Sequence, residues 1–315
     1  MLAQVFRSDL VEAVHDGAVV VVDTSGRITH RHGDIDRFFF LRSAAKPFQA
    51  SVTRELGGPL TDEELAITCS SHDGDPAHVA IIEAILTSVG LSESDLECPP
   101  DWPGSPAAAR RVAGAGHLRP RRIWQNCSGK HAGMLRACVV QGWPTVGYTD
   151  ADHPLQRVIS ERMVEVFGPG TVPVGEDGCG APVFRGSTAA LAAGFARLVS
   201  EPRYEPVATA MSRFPALTSG ARHIDLPIAV WLGGVAKRGA EGCLGVALAD
   251  RGALAVKVWD GAERAVAAAA VAALDQVGWI PHGSRRNLES ELERPVFGGG
   301  RAVGTVEASF VMERL

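Results

Sequence analysis

Apolar residues cluster in short β-branched runs near both ends of the chain and recur at helical spacing through its middle. Val19–Asp23 is a β-branched run and Gly26–His32 is polar but strand-compatible. Thr24-Ser25-Gly26 between them is turn chemistry, so the pattern predicts a hairpin. Ser43–Leu56 has helical spacing, as do Asp62–Ala66 and Pro76–Val89. Pro76 fits the first turn of the last of these, and Gly90 fits its C-cap. Pro99–Gly114 is rich in Pro, Gly and Ala, which predicts irregular backbone at its start. Further helices are predicted over Lys130–Gln141, His153–Phe167, Thr188–Leu198 and Glu205–Arg213. Cys243–Ala249 and Ala253–Trp259 are strand-like runs joined by the turn Asp250-Arg251-Gly252, and an Ala-rich helix follows over Ala262–Val277.

Strand-rich ends can pair into one antiparallel sheet, leaving the helical middle as a second lobe. A cleft between such lobes suits a small ligand. The expected organisation is α/β (α+β), a single unit over 1–315. Its sheet lobe takes about 1–45 and 230–315, and its helical lobe about 46–229.

Composition narrows the function classes. The 315 residues are 46% hydrophobic and 21% charged, as in an ordinary globular protein. A formal charge of -5 gives no basic excess for nucleic acid or an anionic membrane. Arg110, Arg111, Arg119, Arg121 and Arg122 form the one dense cationic cluster, read as solvated surface or a subunit contact without interleaved aromatics. No apolar run approaches the ~18 residues that span a bilayer. Ala265–Leu274 reads as a packed helix, and Ala18–Val22 is too short for a signal sequence, so a cytoplasmic location is expected. The six cysteines lack the regular spacing of a disulfide framework and are expected to be reduced.

Five segments carry candidate chemistry. In Arg42-Ser43-Ala44-Ala45-Lys46-Pro47, a helix would place Ser43 and Lys46 on one face. A serine nucleophile needs a base, and a lysine serves as one only where burial or another cation lowers its pKa. The same spacing also fits an N-cap serine and a surface lysine. Ser70-Ser71-His72-Asp73-Gly74-Asp75 precedes a helix and reads either as cap and turn residues or as a hydroxyl and imidazole at a helix N-terminus. Asn126-Cys127-Ser128-Gly129-Lys130-His131 crowds reactive side chains into a turn. It lacks the spacing of a phosphate loop, and a plain helix start with a buried cysteine is the alternative. Gly175-Glu176-Asp177-Gly178-Cys179-Gly180 presents an acid and a thiol on a tight loop, or is only a turn. Lys237-Arg238-Gly239 before a strand brings an ammonium near a closely approachable backbone, or is a surface turn.

Taken in this order, Arg-Ser-Ala-Ala-Lys-Pro, Asn-Cys-Ser-Gly-Lys-His and Asp-Gly-Cys resemble the asparaginase II family, the rhizobial-type (class 3) L-asparaginases. The resemblance runs from about Val11 to about Gly261, and Asp152-His153-Pro154 ahead of Gln156 agrees with it. Ser-x-x-Lys with a later Lys-x-Gly is similar to the serine β-lactamase/glutaminase-like fold. Asp73 and the segment Gly220-Ala221-Arg222-His223 depart from the family's pattern.

The resemblance implies an L-asparagine amidohydrolase with Ser43 as nucleophile and Lys46 as its base. It implies Ser71 and Lys237 as a second Ser–Lys pair, and Arg42, His131 and Asp177 around the substrate. It implies Cys127, Lys130 and Cys179 as zinc ligands, and a homodimer. A hydrolase of glutamine or a modified asparagine, a non-catalytic zinc-binding relative and a β-lactam-binding acyl enzyme are the alternatives.

Overall fold

The computed structural model describes residues 1–220 and 223–315. Ala221 and Arg222, from the divergent segment at Gly220, lie outside the described residues. The chain divides into two compact units. A sheet unit contains Met1–Ala44, Gly186–Ser200 and Pro227–Leu315, and a helical unit contains Ala45–Arg185 and Glu201–Leu226.

The sheet unit is built on six strands in the order Glu313–Arg314, Ile28–His32, Gly17–Val22, Gly252–Val258, Cys243–Leu248, Val235–Gly239. Every neighbouring pair is antiparallel. The expected hairpin forms, its turn tied by Ser25 and Arg27 N–H groups donating to Asp23 Oδ1. Strands Gly17–Val22, Cys243–Leu248 and Gly252–Val258 are buried along their whole length. Their unbroken runs of Val, Ala and Leu are what a strand covered on both faces requires. Helix Thr188–Ser200 packs on this sheet, with Phe195 filling the space that a side chain at Gly245 would need. That helix therefore groups with the sheet unit, whereas sequence spacing had set it in the helical middle.

Helix Glu263–Gln276 is buried all round from Ala265 to Leu274 because it also contacts a second sheet. This four-stranded antiparallel sheet, ordered Glu293–Gly298, Arg301–Ala308, Ala3–Arg7, Leu10–His15, has no counterpart in the sequence expectation. Its strands are short and half-exposed, and the pairing of its two middle strands joins opposite ends of the chain. Val5 and Val306 from its middle strands form a small core with Ala268 of the helix.

In the helical unit, helices Lys46–Gly57 and Ser128–Gln141 form the closest helix pair. Small residues permit it: a Cβ on Gly57 would sit 3.2 Å from Ala137 N, and one on Gly133 3.2 Å from Thr53 Oγ1. Helix Asp62–Thr68 starts with a Thr61/Glu64 capping box. Helix Pro76–Thr87 ends at Ser88, so Gly90 lies beyond its C-cap. Helix Pro106–Gly114 follows an irregular approach, as expected. The Arg cluster does meet aromatics, since Arg121 lies over the Trp124 ring and Trp102 stacks on that ring. Among the described residues, no helix is long and apolar enough to cross a membrane.

Candidate active site

The predicted site residues divide between the units. Arg42, Ser43 and Lys237 lie in the sheet unit; Lys46, Ser71, Cys127, Lys130, His131, Asp177 and Cys179 lie in the helical unit.

One continuous helix from Ser43 is not what forms. Arg42–Ala45 is a 3-10 turn, Ala45 is the N-cap, and the α-helix begins at Lys46. Pro47 explains the break, because it lacks an N–H and suits only a first turn. Ser43 is thus not an N-cap, and Lys46, 1% exposed, is not a surface lysine. The α-helical i,i+3 argument for the pair is replaced by a tight turn running into a helix.

Within the sheet unit, strand Val235–Gly239 packs against this turn. Leu41 O accepts from Ala44 N at 3.1 Å and from Cys243 Sγ at 3.7 Å. A Cβ on Gly239 would lie 2.7 Å from Leu41 O and 3.2 Å from Ala44 N, so only glycine lets strand and turn meet. Lys237 lies two residues before Gly239, fully buried, with Nζ donating to Arg238 O at 3.0 Å. It belongs to a strand, not a surface turn. Arg42 has φ of +48°, a left-handed conformation that is strained for a side chain of this size.

Within the helical unit, Lys46 Nζ donates to Ser70 O and, at 3.0 Å, to Ser71 Oγ. Ser71 is held in place by its N–H to Thr218 O at 3.1 Å. Beside it, His72 Nδ1 accepts from Gly74 N–H at 3.0 Å, which leaves Nε2–H to donate to Ser128 Oγ at 2.9 Å. Burial first, then charge interactions with His78 and Lys46, holds His72 well below the ordinary histidine pKa.

Asp177 and Cys179 sit in the turn of a hairpin formed by strands Pro173–Glu176 and Pro182–Gly186. The turn closes with Asp177 N–H to Ala181 O and Gly180 N–H to Asp177 O, both 2.8 Å. It delivers Cys179 to the start of helix Ser128–Gln141. There Lys130 Nζ donates to Cys179 Sγ at 3.1 Å. The neighbouring Cys127 thiol, then the Lys130 charge, pull the Cys179 thiol below its ordinary value against the effect of burial. The Cys127 thiol, which donates to Asn126 Oδ1 at 3.1 Å, is pushed up by Cys179 and by burial. Burial works to lower the Lys130 pKa, but the two sulfurs outweigh it and raise it.

Two sulfurs and one amine thus converge, and soft thiolates with a nitrogen donor suit zinc. Lys130 would have to lose its proton to join them. Among the described residues no group of three His, Cys, Asp or Glu gathers as an alternative metal centre. His131, one residue on, is completely buried, and burial followed by the Lys130 charge holds it down to about 3.

A family model described as L-asparaginase II matches residues 3–308. The chain belongs to the L-asparaginase II family. It is accordingly an amide hydrolase of the L-asparaginase type. No curated protein matches the chain significantly. Among solved structures, a β-lactamase from Mycobacterium bovis is similar with 16% identity and a TM-score of 0.43, over 87% of this chain and 94% of the other. The Mglu protein in its Tris and glutamate form is similar with 16% identity and a TM-score of 0.36, over 84% of this chain and 60% of the other.

Three residues that touch or support predicted ones, in one unit or the other, were not singled out in the sequence. Tyr148 hydrogen-bonds His131, Ser128 receives His72, and Cys243 supports the turn before Ser43. Tyr148 left one usable signal: the chain has only two tyrosines, and both are fully buried.

Proposed function

We propose that the enzyme hydrolyses the side-chain amide of L-asparagine through an acyl-enzyme formed on Ser43. The observation that carries this reading is the buried lysine chemistry. Lys46, three residues after Ser43, is sealed from solvent and touches Ser71 Oγ at 3.0 Å. A lysine sealed from solvent with a serine hydroxyl in hydrogen-bond reach is placed to pass a proton.

Ser43 Oγ attacks the amide carbon while neutral Lys46 takes the hydroxyl proton. Backbone N–H groups stabilise the oxyanion. The C–N bond breaks as Lys46 returns the proton to ammonia, and water then hydrolyses the β-aspartyl ester. On this reading Ser71 and Lys237 take the roles of the family's second serine and lysine. Asp177 meets the substrate's α-ammonium and Arg42 its α-carboxylate. Cys127, Lys130 and Cys179 would hold zinc, which when bound supplies a Lewis acid. The working form on this reading is a cytoplasmic homodimer, and light scattering of the purified protein tests the assembly.

The test is ammonia release from L-asparagine by the wild-type protein and Ser43→Ala, with glutamine as control. Loss in the variant and weak release from glutamine are expected. Activity that survives Ser43→Ala would overturn the acyl-enzyme.

A further inference from the structure

The tautomer of His131 follows from the groups around it. His131 Nδ1 lies 2.7 Å from the Tyr148 hydroxyl. That hydroxyl also accepts the Glu97 backbone N–H at 3.0 Å. A phenol carries one proton, and the Glu97 amide, itself a donor, cannot receive it. Among the described residues these two groups are its hydrogen-bond partners, so the phenolic proton goes to Nδ1 and the imidazole proton sits on Nε2. The assignment rests on donors and acceptors.

The surroundings hold Tyr148 rigidly. The Glu97 carboxylate accepts from Gly147 N–H at 2.6 Å and Thr149 Oγ1 at 2.9 Å, on both sides of Tyr148. Gln156 Nε2 donates to Tyr148 O at 2.8 Å. His131 Nε2, by contrast, is buried with no hydrogen-bond partner among the described residues. A buried donor left unpaired calls for an explanation beyond packing.

We propose that Tyr148 is a positioning residue that locks His131 as the Nε2–H tautomer, so that the imidazole is a fixed donor to an oxygen of the substrate and never the base. This rests on the asparaginase reading, in which His131 lies beside the substrate. It adds a requirement: the ligand must present an acceptor oxygen, carboxylate or carbonyl, at that position. With Nδ1 occupied by a donor and Nε2 already protonated, the imidazole has no free lone pair for the serine proton.

The experiment is a long-range proton–nitrogen NMR spectrum of the full chain labelled with [15N]histidine, at one fixed pH, beside kinetics on asparagine. Wild-type His131 is expected to show the Nε2–H signature alone. Tyr148→Phe is expected to lose that single tautomer, with kcat/KM down about tenfold. His131→Gln keeps an amide N–H near the Nε2 position and is expected to retain about tenfold more kcat than His131→Asn. An Nδ1–H signature in the wild type, an unchanged spectrum in Tyr148→Phe, or equal loss in the Gln and Asn variants would overturn the proposal. If Tyr148→Phe fails to fold, the wild-type spectrum and the His131 pair decide. A wild-type protein that leaves asparagine intact but shows Nε2–H would refute the function and support the lock.

Discussion

The two units bury different chemistry. Among the described residues of the sheet unit, only His15, Ser187, Thr188, Lys237 and Lys257 are buried polar or charged side chains. Its core is otherwise apolar, mainly Val, Ala and Leu on the buried strands and on helices Thr188–Ser200 and Glu263–Gln276. The helical unit buries Lys46, Ser70, Ser71, His72, Asp73, Ser128, Lys130, His131 and more, each needing a partner. Apolar packing is non-directional and tolerant, whereas buried polar groups demand particular neighbours. The contrast teaches where each unit is vulnerable: the sheet unit to lost volume, the helical unit to lost partners and to protons.

The sharpest break in that comparison is at the one turn where the sheet unit carries chemistry. Ser43→Ala is expected to lower kcat for asparagine by at least about 10³-fold, with thermal stability nearly unchanged. Lys46→Met is expected to match it in ammonia assays, and an active Lys46→Met would remove lysine as the base.

Volume loss comes next. Phe195→Ala removes the ring packed over Gly245 and is expected to cost about 3–5 kcal/mol in denaturant unfolding. A loss under ~1 kcal/mol would mean that the sheet core is looser than its burial suggests.

Protons probe the helical unit. His131 is held down to about 3 and His72 also lies below the ordinary value, both first through burial. The unfolded chain, with histidines near ~6.5, therefore takes up protons first as pH falls. Their contribution to stability is complete above that pH and is lost on acidification below it. Between pH 7 and 5 the expected loss from His131 is about 2 kcal/mol, and His72 adds to it in the same direction. Denaturant midpoints at the two pH values measure it, and His72→Gln should flatten the difference.

Metal uptake sharpens the polar side of the comparison. Cys179→Ser is expected to lower bound zinc, measured by elemental analysis after dialysis, by at least about tenfold. Equal zinc in variant and wild type would exclude Cys179 as a ligand. The smallest effect is expected at the sheet unit's surface, where Arg27→Ala breaks an exposed pair with Asp23 at 3.1 Å. Its expected cost is below about 0.5 kcal/mol.

Local pattern made much of this legible. The Val19–Asp23 run, the turn at Asp250-Arg251-Gly252 and the Ala-rich stretch after Trp259 all appear as the elements they predicted, within a residue or two at their ends. Glu205–Arg213 forms over the predicted range. The reactive types at Cys127, Lys130 and Cys179 were visible as motifs, and the structure brings Lys130 and Cys179 into contact. Illegible were the strands Ala3–Arg7 and Arg301–Ala308, which pair across nearly the whole chain. Alternation in so short and half-exposed a strand is a weak signal until its partner is known.

What the sequence by itself determined is whatever depends on neighbours a few residues apart. Continuous apolar runs specified strands buried on both faces, Pro47 set where a helix could begin, and Gly57 and Gly133 allowed two helices to close up. The tertiary structure alone decided which helix joins the sheet, which sulfur meets Lys130, and which imidazole nitrogen faces Tyr148. Those outcomes turn on single hydrogen bonds between residues far apart in the chain. Their energies depend on distance and direction in space, which no local period encodes.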